Sequence, residues 1–563
     1  MNMRKLIIAL SLAFVSFGIV GCGDFLDTMP DNRTQIDNLD KVKALLVSAY
    51  PYRFYASTLE PRCDGYTDLG ATVSGSQPGT NLSFQYTNYR WEEHTSIEGA
   101  DDNEAYWTAC YKAIAAANHA LAALDEMGNP KGSEAYRAEA LLCRAYAHFC
   151  LLTIHADFFD EANRATKLGI PYVTEPEDEV YKHYDRGTVA STLEKVKADL
   201  AEGMAHIGTG ADHDQPKFHF SGASARAFAV RVALFERDYP TVISLVSQQI
   251  PQPSVLVGLQ NASGPLVNAD GTPVRIPHPN QDVAFLYCGA NFYNWDNYRN
   301  IAGGSQGIGL SFTDPKSPHV LLSCEPYSLL HRITYSNAFT RYNYSEKAIG
   351  AVMGDNATGY GWNLPAYGFA SANSPSYVPK MYEDFKSDDD VTGQPHVRLS
   401  LFRQEELILA RAEAYAMTGE YDKAIYDLTM YVQNRVGAQI TACYLSRDKV
   451  VNYYAESLSM PGNYLMNSFN AGRFTTDPST YEGQLQRSLM LMVLDTRRTE
   501  FLYEGMRWFD ILRWNIPVEH RMITGETSTL TPDDDRRVVQ LPRNAELSGL
   551  QMNPYDHIPN PWN

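Results

Sequence analysis

The sequence predicts a mostly α-helical fold, in which tetratricopeptide-like helix pairs form a scaffold and long irregular loops form a ligand face. Apolar residues recur at helical spacing in three stretches, at residues 102–157, 188–250 and 401–437, and these predict the scaffold. Residues 51–100 and 251–400 are rich in Gly, Pro, Ser, Asn and aromatic residues and show no sustained helical period, which predicts loops. Because loops of this length in a compact protein are usually functional, we expect a ligand to bind there.

The amino terminus has the anatomy of a secretory signal. Arg4 and Lys5 precede a fifteen-residue apolar region, Leu6 to Val20, and the small Gly21 stands directly before Cys22. A membrane-spanning helix is the weaker interpretation, because a span usually needs about 20 apolar residues.

Ile19-Val20-Gly21-Cys22 resembles the lipobox of bacterial lipoproteins. The resemblance implies that a peptidase removes residues 1–21 after the sulfur of Cys22 has received a diacylglyceryl group. Stable anchoring takes more than one acyl chain, and a diacylglyceryl group with an N-acyl chain meets that need. The alternative is an ordinary signal peptide in which Cys22 stands by chance.

The composition of the remaining chain narrows the classes of function. Residues 22–563 are numerous enough for several domains or one large helical-repeat body. The full sequence has a net charge of −19, which argues against nucleic acid as a partner, because phosphates require a basic surface. The seven cysteines after Cys22 include no C-x-x-C pair, so they indicate neither a disulfide framework nor a zinc cluster. The chain contains 36 tyrosines, and 12% of its residues are aromatic, which is a surplus of aromatic residues. Part of this surplus is a candidate ligand surface.

The first helix pair covers residues 102 to about 157. Successive turns of its first helix carry Trp107, Tyr111, Ile114, Asn118 and Leu121. Gly128-Asn129-Pro130 interrupts the pattern, and "SEAYRAEALLCRAYAHFCLLTIHADFF" resumes it, so the two predict a helical hairpin.

The second pair runs from about Thr188 to about Ile250, and the third runs from Leu401 to Gly437. The third pair matches a tetratricopeptide repeat at the positions of the packing aromatic, the turn glycine and the close-contact alanine. The residues that match are Tyr415, Gly419, Tyr421, Ala424 and Leu428. Arg411 departs from the usual leucine of the repeat. Such repeats need neighbours to bury a continuous apolar face.

The segment Arg497–Trp514 is predicted to be a structural helix. Its apolar residues recur at helical spacing and should face the core: Phe501, Trp508, Phe509 and Leu512. Its charged residues are expected to pair three or four positions apart: Arg497, Arg498, Glu500, Glu504, Arg507 and Asp510. Residues 520–563 predict an extended tail wrapped on the body.

Six segments carry a resemblance to a known family. They are "DFLDTMPDNRTQID", "WTACYKAIAAAN", "RAEALLCRAYAHFCLLTIHADF", "SYVPKMYEDF" with "RQEELILARAEAYAMTGEYDKAI" after it, and "RRTEFLYEGMRWFDILRW". In this order behind a lipobox, they resemble the SusD/RagB family, the surface lipoproteins of Bacteroidetes nutrient-uptake systems, over nearly the whole chain. The last segment is the most specific, because its Arg-Arg, Glu, Phe, Glu-Gly and Arg-Trp-Phe-Asp follow the family's order.

The resemblance implies a protein that is no enzyme, anchored by lipid to the outer membrane and facing the cell exterior. It implies capture of a nutrient oligomer and delivery to a SusC-like TonB-dependent transporter, over which the protein closes as a lid. An oligosaccharide is the expected cargo, and an oligopeptide is the alternative that the RagB side of the family suggests. The SusD-like body would comprise an amino-terminal part at 22–250, a loop-rich insert at 251–400 and a carboxy-terminal part at 401–563.

The motifs offer little support for catalysis or metal binding. Gly303–Gly307 matches G-x-S-x-G but lacks the buried strand before it and the helix after it that a nucleophile elbow needs. The histidines are scattered without H-E-x-x-H, and the acidic runs at 388–390 and 533–535 lack the EF-hand order. We therefore predict no catalytic residue, no metal ligand and no cofactor. An anchored hydrolase and a structural repeat adaptor stay as alternatives, because paired carboxylates are brought together only by the fold.

Aromatic residues among polar ones in the loops are the candidate ligand-binding residues. Sugars present C–H faces that stack on Trp or Tyr and hydroxyls that bind Asn, Asp, Gln and Arg. The first choice is the segment Phe285–Asn300, and the two others are "TGYGWNLPAYGFA" and "QYTNYRWEEH". The candidate rings are Tyr293, Trp295, Tyr298, Tyr360, Trp362 and Trp91. The alternative is that these rings only pin the loops to the body.

Overall fold

Fifteen α-helices and nine short β-strands form the part of the chain that the computed structural model describes. That part comprises residues 35–70, 72–74, 77–78, 83–93, 102–177, 183–250, 321–324, 341–362, 382–387, 393–433, 435, 443–460, 463–465 and 472–555. The predicted mostly α-helical fold class is confirmed.

The helices are α1 Leu39–Leu46, α2 Ala56–Leu59, α3 Ser83–Tyr89, α4 Asn103–Glu126, α5 Glu134–His155, α6 Val189–His206, α7 Gly222–Phe235, α8 Tyr239–Ser247, α9 Glu346–Val352, α10 Gln404–Met417, α11 Tyr421–Gln433, α12 Arg447–Ser459, α13 Tyr481–Glu500, α14 Met506–Arg513 and α15 Arg543–Leu547. The strands are β1 Tyr66–Asp68, β2 Thr72–Ser74, β3 Gln77–Pro78, β4 Leu321–Cys324, β5 Tyr342–Tyr344, β6 Tyr382–Ser387, β7 Gly393–Ser400, β8 Val518–Arg521 and β9 Thr527–Leu530. All of their pairings are antiparallel: β1 with β5, β2 with β3, β7 with both β4 and β6, and β8 with β9.

The first predicted helix pair is confirmed as α4 and α5. Asp102 begins α4, because its carboxylate accepts a hydrogen bond from the amide of Ala105 at 2.7 Å. Asn118 of α4 accepts from the Arg144 guanidinium of α5 at 3.0 Å and donates to the Val173 carbonyl at 3.1 Å. This buried amide therefore joins the two helices to the loop that follows them.

The second predicted pair contains three helices, α6, α7 and α8. The predicted second helix of that pair breaks between Phe235 and Tyr239, where Arg237 has a positive φ of 59°. Pro240 lies in the first turn of α8, where it needs no amide hydrogen, and Asp238 accepts from the amide of Thr241 at 3.2 Å. This cap and this proline begin a new helix instead of continuing the old one.

The third pair is confirmed as α10 and α11, joined by a turn in which Gly419 has a φ of +82°. Arg411, which replaces the usual leucine, is fully buried and donates through Nε and Nη2 to both oxygens of Asp427, each at 2.8 Å. Helix α10 also packs against α8 and α13, so the helix pairs bury one continuous apolar core.

The predicted single helix over Arg497–Trp514 is wrong, because the chain turns between α13 and α14. Gly505 has a φ of +74°, and a Cβ there would lie 2.9 Å from Cδ2 of Tyr55. This close approach explains why glycine occupies the end of the turn. The predicted burial of Phe501, Trp508 and Leu512 is confirmed.

Asp510 binds Arg513, three positions later on α14, at 2.8 Å, as the spacing predicts. For the other charged residues of this segment whose partners are defined, the prediction that they pair along one helix is wrong. Arg497 binds Asp510 across the turn at 2.9 Å, and Arg507 of α14 binds Asp64 at 2.6 Å. Glu500 binds Arg403 at 2.9 Å. Burial explains the difference, because a buried charge needs a close partner and the turn brings other elements nearer than the next helical turn.

The carboxy-terminal region starts with the β8–β9 hairpin and then crosses α5. The amide of Val539 donates to the carbonyl of Ile154 at 3.1 Å, and Nδ1 of His155 lies 3.2 Å from the carbonyl oxygens of both Val539 and Gln540. The tail is therefore fastened to the end of α5. Among the helices of the described residues, none has both the length and the apolar character needed to cross a bilayer.

Candidate functional site

The predicted site residues fall into three groups by their placement. Tyr293, Trp295 and Tyr298 lie outside the described residues, as does Cys22. Trp91 is buried, whereas Tyr360 and Trp362 lie together on one loop after α9.

Trp91 anchors its loop, and in this structure it offers no ring face to a ligand. Its side chain is only 1% exposed, and its indole N–H donates to the carbonyl of Arg62 at 3.1 Å. The ring stacks on His520 with centroids 4.3 Å apart and an angle of 12° between the planes. The predicted ligand contact is corrected accordingly, because a ring filled on its face and satisfied at its N–H is a packing element.

We call Tyr360, Trp362 and Tyr453 the aromatic patch, because the first two flank Gly361 on one loop and the hydroxyl of Tyr453 binds the same loop at Asp355. Tyr360 is 38% exposed and Tyr453 is 43% exposed, whereas most large apolar side chains of the described residues are buried. The hydroxyl of Tyr453 donates to the backbone carbonyl of Asp355, and Asp355 pairs with Gly361 in an antiparallel bridge. The hydrogen bond of Tyr453 therefore places helix α12 against the loop that carries the other two rings.

The loop of the aromatic patch is held by one asparagine. The Oδ1 atom of Asn356 accepts from the amide of Thr358 at 3.0 Å and from its hydroxyl at 2.6 Å. The Nδ2 atom of Asn356 donates to the carbonyl of Tyr360 at 2.8 Å. Gly359 follows with a φ of +81°, a conformation in which glycine is not strained. The turn thus fixes the backbone at Tyr360 while the ring stays at the surface.

Helix α12 is fixed by the tyrosine next to Tyr453 in the sequence. Tyr454 is buried, and its hydroxyl donates to Oδ2 of Asp495 in α13 at 2.9 Å. Its ring meets that of Tyr453 edge to face, with centroids 4.8 Å apart. Burial, and then the nearby carboxylates of Asp495 and Asp355, raise the pKa of Tyr453, so the hydroxyl keeps its proton and remains a donor.

Trp362 forms the inner border of the aromatic patch. It is partly buried, packs on the core and meets the ring of Tyr431 in α11 with centroids 5.9 Å apart. The three rings are therefore supported from below by α11, α12 and the Asn356 turn. For Trp362 and Tyr453, whose rings contact other rings, this support reduces the rotamer freedom that would be lost on binding.

Sequence reasoning missed Tyr453. A signal was present in the adjacent tyrosines 453 and 454, because neighbouring helical residues point about 100° apart and one apolar face rarely accommodates both. One of the two should therefore lie at the surface, and the packing of α12 on α13 determines which one.

Two family models match the chain. One, described as "Starch-binding associating with outer membrane", matches residues 24–234, and the other, described as "SusD family", matches residues 332–546. No protein with a curated description matches the chain.

Several solved structures share the fold. A putative sugar binding protein from Bacteroides vulgatus is 14% identical with a TM-score of 0.56, over 93% of this chain and 100% of that one. A SusD superfamily protein from Bacteroides vulgatus is 16% identical with a TM-score of 0.56, over 94% and 100%. A laminarin binding SusD-like protein is 14% identical with a TM-score of 0.52, over 92% and 99%. Likeness at these identities concerns the fold.

Proposed function

Because this chain belongs to the SusD/RagB family, we propose that it is a surface lipoprotein that binds a nutrient oligosaccharide and delivers it unaltered to a SusC-like TonB-dependent transporter. The observation that carries the proposal is the aromatic patch, in which exposed rings stand on a fixed turn and a packed helix. The laminarin-binding neighbour supports a glycan as the cargo.

The aromatic patch suits a sugar for two reasons. The apolar C–H faces of a pyranose ring stack on tyrosine and tryptophan and remove apolar surface from water. The patch also presents polar groups beside its rings, including the exposed side chain of Asp355 and that of Glu456, three residues after Tyr453 on α12. A polar neighbour next to a ring fixes the orientation of a bound hydroxylated ligand.

The loop residues Tyr293, Trp295 and Tyr298 belong to the same proposal as a second set of ligand contacts. Their segment, Phe285–Asn300, also combines aromatic residues with asparagines. An oligomeric ligand that contacts both sets of rings at once should bind more tightly than one that contacts a single set.

Replacing the two exposed rings is expected to weaken glycan binding. We expect Tyr360→Ala and Tyr453→Ala each to lower affinity by about threefold to tenfold, and the double variant by about tenfold or more, since a stacked ring contributes about 0.5–1.5 kcal/mol. Affinity electrophoresis and calorimetry against polysaccharides and peptides measure the change, and Trp295→Ala tests the second set in the same way.

Tyr481→Ala is the matched control, because Tyr481 is 42% exposed and its hydroxyl also makes one hydrogen bond, to Asp448 at 2.6 Å. Unchanged affinity in the folded double variant would remove the aromatic patch from the site. Binding of peptides instead of glycans would retain the site and change the cargo, and turnover of either class would favour an anchored hydrolase.

The anchor and the transporter are tested on cells. We expect the protein on intact cells to be cleaved by external protease, to incorporate labelled palmitate and to co-purify with a large β-barrel protein. Cys22→Ser is expected to abolish the lipid label, because the thiolate accepts the diacylglyceryl group. Retention of the protein in the periplasm, or the failure of any β-barrel protein to co-purify with it, would contradict delivery at the surface.

A further inference from the structure

Three buried side chains from separate parts of the chain converge near the start of α5. Glu139 lies in α5, and His213 and His219 lie on the loop between α6 and α7. Nε2 of His213 is 2.6 Å from Oε2 of Glu139, and Nδ1 of His219 is 2.6 Å from Oε1. The two imidazole rings stack with centroids 3.4 Å apart and an angle of 4° between the planes. One ligand atom from each of the three residues lies within 4.8 Å of the other two.

Glu139 differs from most other buried carboxylates of the described residues, which contact an arginine. Those pairs include Asp199 with Arg144, Glu406 with Arg231, Glu413 with Arg513, Asp427 with Arg411, and Asp534 with Arg536. Within the described part of the chain, neither lysine nor arginine forms an ion pair with Glu139. A buried carboxylate needs either a charged partner or a metal ion, and here two imidazoles occupy the place of the guanidinium.

We propose that Glu139, His213 and His219 form a binding site for a divalent transition-metal ion, with zinc as the ion that these ligands suit best. Two imidazole nitrogens and one carboxylate are a recurrent zinc ligand set, and three protein ligands leave the fourth position for water. Imidazole is a ligand that suits divalent transition metals, and a carboxylate beside it adds a negative charge that favours a dication.

The carboxylate of Glu139 is also held in position by a residue outside the cluster. The hydroxyl of Tyr50 donates to Oε1 at 2.9 Å and accepts from the amide of Phe220 at 2.7 Å, so it orients the carboxylate as outer partners of metal ligands do.

Metal binding would replace the two hydrogen bonds and widen the cluster. Zinc holds nitrogen and oxygen ligands at about 2.0–2.2 Å, which in tetrahedral geometry separates them by about 3.3 Å. Because the present contacts are 2.6 Å long, the loop with both histidines would need to move by less than 1 Å. The ion would then bind this loop to α5.

The test uses the full-length protein without a histidine tag, stripped with EDTA and titrated with ZnCl2 in a calorimeter. We expect one zinc per chain and a rise of the thermal unfolding midpoint with zinc. His213→Gln and His219→Gln should each lower zinc affinity by at least 100-fold, and Tyr50→Phe by about tenfold. His206→Gln is the control, because His206 is exposed in the last turn of α6 and should leave the affinity unchanged.

Cobalt substitution keeps the proposal testable if the histidine variants fail to fold. Co²⁺ in the wild-type protein is expected to show the intense visible absorption of a four-coordinate site. Less than stoichiometric zinc with an unchanged midpoint, a weak six-coordinate cobalt spectrum, or full zinc affinity in both folded histidine variants would each overturn the proposal and leave a hydrogen-bonded cluster.

Discussion

Replacing Arg411 by leucine is expected to lower the free energy of unfolding by about 3–5 kcal/mol, although leucine is the usual residue of the repeat at this position. Arg411 and Asp427 are both fully buried, and the guanidinium contacts both carboxylate oxygens at 2.8 Å. The variant would leave the Asp427 carboxylate buried without its cation. In the wild-type protein, burial already raises the pKa of Asp427, and the Arg411 guanidinium opposes that shift. Urea unfolding followed by far-ultraviolet circular dichroism measures the loss.

A double variant separates the ion pair from the packing. Arg411→Leu combined with Asp427→Leu is expected to recover most of the loss, because apolar replacement of a whole buried pair is often neutral. The recovery should be incomplete, since Arg411 also donates to the carbonyl of Ile250. Arg137→Leu is the control, because Arg137 contacts an Asp125 that is 57% exposed, and its loss should cost less than about 1 kcal/mol. A single variant as stable as this control would contradict the argument.

The helical scaffold could be predicted from the sequence because its apolar spacing is regular. The hairpin of α4 and α5 and that of α10 and α11 follow patterns that extend over several turns. The breaks after Phe235 and after Glu500 were missed, because both flanking segments keep helical periodicity. Only the cap at Asp238 and the close approach at Gly505 distinguish them.

The partners of the buried charges could not be predicted from spacing. Arg507 lies on one segment with Glu504 and Asp510 but binds Asp64, more than 400 residues earlier. Helical spacing predicts pairs on an exposed helix surface, whereas α14 is buried along its whole length. Charges on a buried helix pair with whichever element packs against them.

The candidate site was predictable only in part, for a related reason. Composition identified the loop of Tyr360 and Trp362, because aromatic residues stand there between glycines. A mixture of aromatic and polar residues also surrounds Trp91, which the structure buries against His520. Exposure depends on what packs above a ring, and a single sequence does not contain that information.

Lowering the pH from 7 to 5 is expected to reduce the free energy of unfolding by about 4 kcal/mol through two buried histidines. Burial lowers the pKa of His148 to about 3 and that of His155 to about 4, against an ordinary value of 6.5. The unfolded chain therefore binds protons below pH 6.5 that the folded chain does not bind. Stability is fully present above pH 6.5 and is lost as the pH falls toward these two values.

The hydrogen bonds of His148 explain why it stays neutral in the folded protein. Its Nε2 accepts from the amide of Val173 at 3.1 Å, so this nitrogen has no room for a proton, while Nδ1 lies 2.8 Å from the carbonyl of Arg144 and donates to it. Burial also lowers the pKa of His520 to about 4, although both of its nitrogens face carbonyl oxygens, at 2.7 and 2.8 Å, which favour the charged ring. Its contribution adds to that of the other two histidines.

Guanidinium unfolding at several pH values, with EDTA present to keep metal out of the comparison, measures the effect as a slope. His148→Gln is expected to reduce the slope between pH 5 and 6 by about one proton, or about 1.4 kcal/mol per pH unit. His183→Gln should leave the slope unchanged, because His183 is exposed. Carboxylates whose pKa is lowered, such as Asp510, contribute only near and below pH 4, outside the range in which the histidines are measured. An unchanged slope in His148→Gln would show that this ring already carries its proton in the folded protein.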